Sequence, residues 1–163
     1  MKRVATAVAI LALGVAGCGG SNNSTAPSSN LKVFNVQLSP ANENPPITTA
    51  ESTAKGTATI TIHTDTNVVD FNVSLSGFPA GSTITAAHIH GPNAPTGVNA
   101  GVLVNTGLAS GSTGLVNGAG TFTLTQGSAS AATIQSIVAS PQNFYFNVHT
   151  TANPGGVMRG QLQ

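Results

Sequence analysis

The chain has 163 residues, of which only 6% are charged, with five Lys and Arg against four Asp and Glu. That length suits one domain, and the lack of any basic stripe to neutralise phosphates excludes nucleic-acid binding. A hydrophobic share of 40% excludes charge-driven disorder, which leaves a neutral chain with 19 Gly, 9 Pro, no Trp and a single Cys, the profile of an exported all-β module.

The first elements are an address. Lys2 and Arg3 open the chain, residues 4–13 are apolar or small with one Thr, and Val15-Ala16-Gly17 leads directly to Cys18. This is the layout of a secretory signal. Polar residues from Ser21 onward arrive too early for a membrane-spanning helix, which needs about 20 apolar residues. The segment resembles a bacterial lipobox, which implies that residues 1–17 are removed and that Cys18 carries the lipid. Gly19 after the Cys implies outer-membrane sorting in systems of the enterobacterial type. The expected location is therefore an exported, membrane-anchored lipoprotein of the outer membrane, cell surface or periplasm. Residues 18–30, rich in Gly, Ser and Asn, are a flexible tether. Twelve extended residues reach about 40 Å. Without residues 1–17, Lys32, Lys55 and Arg159 face Glu43, Glu51, Asp65 and Asp70, a side-chain charge of −1. No second Cys is present for an intramolecular disulfide.

Residues 31–163 form the domain, and their alternation has period two, the all-β signal. Phe34, Val36 and Leu38 share one face of a first strand, and the prolines after Asn44 exclude a central strand there. Ala58, Ile60 and Ile62 point inward, with Thr57, Thr59, Thr61 and His63 outward; after a turn at residues 64–67, Val69, Phe71, Val73 and Leu75 face the core. Residues 77–81 turn the chain into a strand over 84–90, and residues 91–100 are loop by composition. Short strands follow at 102–104 and 121–125, a helix at 129–138, a strong strand around Phe144, Phe146 and Val148, and a closing strand at 157–162. Seven or eight short strands of this kind predict an all-β, Greek-key β-sandwich of the immunoglobulin-like or superoxide-dismutase-like type with one short helix.

Of the four histidines, His63 has no polar partner near it in sequence and reads as a solvated surface residue. His88 and His90, two apart on a strand, share a face with Cβ atoms about 7 Å apart. His149 ends another strand and shares a face with Tyr145 and Asn147. If those strands are neighbours, three imidazoles converge as a ligand set for copper or zinc. The bland alternative is a histidine pair that hydrogen-bonds the Pro-rich loop behind it. Arg159, the one Arg left after residues 1–17, either bonds loop carbonyls or a carboxylate, or guides an anion to the histidines; Asn147 is the other candidate supporting residue. No catalytic residue is assigned: the chain has no nucleophile elbow, no phosphate-cradling Gly loop and no pair of carboxylates suited to acid–base work.

Four segments, Asn42-Glu43-Asn44-Pro45-Pro46, Ala87-His88-Ile89-His90-Gly91-Pro92, Tyr145-Phe146-Asn147-Val148-His149-Thr150 and the run from Asn153 to Leu162, together resemble the CHRD domain, named for chordin and found alone in exported bacterial proteins. The resemblance spans nearly all of residues 31–163 and implies a binding or structural module with an unidentified partner. It departs at Val157, where the family usually has an acidic residue, so any role of that carboxylate toward Arg159 or a metal is absent. A fainter resemblance is to copper,zinc superoxide dismutase, whose pattern His88, His90, His149 and Arg159 follow in order. That implies a three-histidine copper or zinc site with redox activity of the dismutase type. The bridging histidine, the zinc-loop ligands and the disulfide cysteines have no counterpart here, so a complete dismutase site is not implied.

Overall fold

Strict alternation of apolar and small polar side chains gives each strand one face for a core and one for solvent, and two such sheets close over each other. The computed structural model describes residues 30–126 and 129–163. Residues 1–17, Cys18 and all but the last residue of the expected tether lie outside the described residues. Strands β1 (Leu31–Leu38), β2 (Lys55–His63), β3 (Val68–Ser76) and β6 (Gly120–Gln126) form one sheet in the order β1-β2-β3-β6. Strands β4 (Ile84–His90), β5 (Val102–Asn105), β7 (Tyr145–Thr150) and β8 (Met158–Gln161) form the other, in the order β5-β4-β7-β8. Every pairing is antiparallel, and the chain passes between the sheets after β3, β5 and β6. The architecture is the all-β sandwich expected from the alternation.

Ile60, Ile62, Phe71 and Val73 of the first sheet meet Ile84, Ile89, Phe146 and Val148 of the second, all fully buried. Phe71 and Phe146 stack between the layers with centroids 5.6 Å apart. Each such side chain contributes about 1.5–3 kcal/mol by leaving water. The helix α1 (Ala131–Ala139) starts two residues later than its apolar pattern predicts, because the Ser130 hydroxyl accepts from the Thr133 N–H and caps it. Ile134 and Ile137 are its buried side chains. Among the described residues no helix is long and apolar enough to cross a membrane.

At one corner the two sheets are tied together. Ser39 and Arg159 exchange backbone hydrogen bonds at 3.1 and 3.3 Å, which seats the turn Pro40–Asn42 and the following Glu43 against β8.

His63 departs from the sequence reading. It is half-buried, and its Nε2 lies 2.8 Å from Asp70 Oδ2. The β2–β3 register sets Asp70 opposite Thr61, diagonal to His63 on the same face, a neighbour that reading along the chain does not reveal. The hydrogen bond from His63 holds the Asp70 carboxyl below its usual range.

Candidate metal centre

Alternation along β4 puts His88 and His90 on one face of the second sheet. The antiparallel pairing with β7 sets His88 opposite Asn147, His90 opposite Tyr145 and Ala86 opposite His149. The third imidazole therefore falls diagonally beside His88. One ligand nitrogen from each of the three rings lies within 4.8 Å of the other two. The neighbouring strands are those on which the sequence placed the three candidates.

Backbone carbonyls determine which nitrogens are free. His90 Nδ1 is 2.9 Å from the Ala100 carbonyl and His149 Nδ1 is 2.9 Å from the Pro154 carbonyl. A carbonyl only accepts, so each Nδ1 carries the hydrogen and each Nε2 of the neutral ring is a bare lone pair. His149 Nε2 takes a hydrogen bond from His88 Nδ1 at 3.0 Å. His90 Nε2 is buried and has no partner. Of the histidine pair, only His90 makes the expected loop bond, through Nδ1, which leaves its Nε2 aimed elsewhere; His88 bonds His149 instead. Imidazole nitrogens bind first-row metals at about 2.0–2.1 Å, which puts ligands on a shared ion about 3–4 Å apart. The 4.8 Å spread of the present set is wider than that, so the rings would have to draw together to share an ion.

Burial keeps these rings neutral. It pushes His88 down to about 4, with the neighbouring His149 and His90 acting in the same direction. Burial also lowers His90 and His149, against the Ala100 and Pro154 carbonyls, which favour their charged forms. Neutral imidazole is the metal-binding form.

Asn147 and Arg159, opposite each other on β7 and β8, lie beside the histidines. Asn147 Nδ2 donates to Glu43 Oε1 at 2.8 Å. Arg159 is 3% exposed; it donates from Nε to the Asn42 carbonyl at 2.6 Å and from Nη1 to Asn99 Oδ1 at 2.7 Å. Of its two alternatives, the loop-binding one is what the geometry holds. Val157 is fully buried in the core, so the carboxylate beside Arg159 comes from Glu43, 3.9 Å from its Nε.

Three residues of this neighbourhood were not among the candidate site residues of the sequence. Glu43 is one; burial pushes its carboxyl up to about 7, with the Arg159 charge offsetting part of that rise. Glu51 is another: its buried carboxylate accepts from Ser82 Oγ, Thr150 Oγ1 and Asn153 Nδ2, each at 2.6 Å, and so anchors the turn that carries Pro154. The third is Tyr145, stacked on His90 at 4.8 Å and 3°. Its signal was available, since it is the one Tyr in the chain and alternates onto the face of Asn147 and His149.

No curated protein and no solved structure matches the chain. A family match does exist and covers the sandwich from the middle of β1 to the residue after β8. Residues 34–162 fit the CHRD domain, and the chain belongs to that family.

Proposed function

We propose that this CHRD domain binds one copper or zinc ion through His90 Nε2, His149 Nε2 and the His88 ring, whose hydrogen moves from Nδ1 to Nε2 as Nδ1 turns from donor to His149 into ligand. The observation that carries the reading is the His90 ring, whose Nε2 is buried without a partner while its Nδ1 is held by the Ala100 carbonyl. An unsatisfied buried polar atom costs about 1–3 kcal/mol, and a bound ion removes that cost. Metal-ligating histidines characteristically give their second N–H to a carbonyl or carboxylate, as His90 and His149 do. Copper(II) outranks zinc for such a nitrogen set on intrinsic affinity. His88 is the partly exposed member of the three, which gives the cluster access to solvent. Family membership supports a binding or structural module, and a resident ion serves either role.

The sequence further supports delivery of this module to the cell envelope on a lipid at Cys18, with residues 18–30 as the tether. Replacing Cys18 with Ser is then expected to move the protein from the membrane fraction to the soluble one.

The metal reading is tested on the full chain carrying Cys18→Ser. One equivalent of copper or zinc should bind at pH 7.5, be lost in His88→Ala and His149→Ala, and dissociate as pH falls toward about 4, where burial has placed the protonation of His88. Wild-type uptake well below one equivalent, or unchanged uptake in the variants, overturns it. Superoxide turnover by the copper-loaded protein separates a redox role from binding alone.

A further inference from the structure

We infer that Tyr145, clamped from behind by Arg159, is the positioning residue of the histidine site and presets the plane and tautomer of His90. The inference rests on the metal-binding reading above.

The sheet order places β7 between β4 and β8. Tyr145 is therefore approached by His90 from one flank and by a β8 side chain from the other. His90 lies parallel to the phenol ring, with centroids 4.8 Å apart and planes within 3°. The Arg159 guanidinium carbon lies 4.6 Å from the centroid of the same ring. The column runs from cation to phenol to imidazole, and its outer end cannot swing, because the Asn42 carbonyl and Asn99 Oδ1 hold the guanidinium.

Tyr145 acts on His90 in a second way. Its hydroxyl accepts from the Ala100 N–H at 3.3 Å, and the carbonyl of that residue accepts His90 Nδ1–H at 2.9 Å. One side chain thus sets the plane of the imidazole and also steadies the acceptor that selects its tautomer. Both constraints point the unpartnered Nε2 of His90 in one direction. Tyr145 itself is 4% exposed. Simple volume filling requires neither the near-parallel planes nor the shared Ala100 contact. An outer partner of this kind, when removed, typically costs 10–100-fold in metal affinity.

The test uses the full chain carrying Cys18→Ser, with Tyr145→Phe and Tyr145→Leu. Copper(II) affinity is measured by competition with a chelator and the copper environment by electron paramagnetic resonance. The His90 tautomer is read in metal-free protein from long-range nitrogen–proton NMR. Phe keeps the stacking face but loses the hydroxyl that steadies Ala100, so a retained copper spectrum, a loosened Nδ1–H tautomer preference and a smaller loss of affinity than in the Leu variant are expected. Leu is expected to weaken copper about 10–100-fold, alter the spectrum and mix the tautomers. Where the Leu variant fails to fold, Tyr145→Met, similar in bulk but without a planar face, carries the same expectation. A folded Leu or Met variant with wild-type affinity and tautomer overturns the inference, as does a Phe variant that loses as much affinity as the Leu variant. Absence of copper uptake by the wild type removes the metal reading; the metal-free tautomer populations then decide the role of Tyr145 by themselves.

Discussion

Glu43 and Arg159 occupy a buried corner without a close ion pair: 3.9 Å separates Nε from Oε2, and the guanidinium spends its hydrogen bonds on Asn42, Asn99 and Val98. The desolvation cost therefore dominates at Glu43, and its carboxyl stands near 7 in the folded protein against about 4.3 in an open chain. Between those values the folded state holds a proton that the unfolded state has released, so this group's contribution to stability falls as pH rises from about 4.5 to 7. Replacing Glu43 with Gln removes that slope. Whatever offset comes from leaving Arg159 without a carboxylate, the stability difference between variant and wild type should move in the variant's favour by about 1–3 kcal/mol from pH 4.5 to 8. Urea unfolding across that range measures it, and a pH-independent difference contradicts the buried-acid assignment.

The elements were legible to different depths. Period-two alternation placed the strands because Phe71 or Ile60 has one side to hide and its neighbours do not. The helix began late because a cap hydroxyl, not apolar spacing, determines the first turn. The pair His88 and His90 was visible in one strand, but its junction with His149 depends on β4 pairing with β7, a contact between distant segments that no local pattern encodes. Glu43 and Glu51 were opaque for the same reason, since their partners Asn147, Thr150 and Asn153 lie about a hundred residues away. The turn between β7 and β8 gathers these contacts. Gly156 has φ +133°, and a Cβ there would strike Asn147 Nδ2 and Glu43 Oε1. Gly156→Ala should therefore destabilise the domain by about 1–3 kcal/mol. It should also weaken metal binding, because the turn that supplies the Pro154 carbonyl to His149 must shift. Urea unfolding and copper titration of the variant check both effects, and wild-type values in both show that the turn absorbs the methyl group.

For the whole molecule, the histidine face acts on stability in the direction opposite to Glu43. The folded-state values of His88, His90 and His149 are all lowered, that of His88 to about 4, whereas an open-chain histidine titrates near 6.5. In that interval the unfolded chain binds more protons than the folded one, so stability from these rings is complete above about pH 6.5 and is lost as pH falls toward 4. Metal enlarges the effect, because an ion held only by the folded state stabilises it by about 2.7 kcal/mol at a hundredfold excess over Kd, and protonation of the imidazoles releases it. Thermal unfolding of the copper-loaded protein should thus show a steep fall in Tm between pH 6.5 and 4 and that of the chelator-treated protein a shallower one. In His88→Ala the two curves should coincide, since neither retains the ion, and the remaining acid limb should be flatter than that of the metal-free wild type. A metal-dependent gap that persists in His88→Ala means that the stabilising ion sits elsewhere on the sandwich.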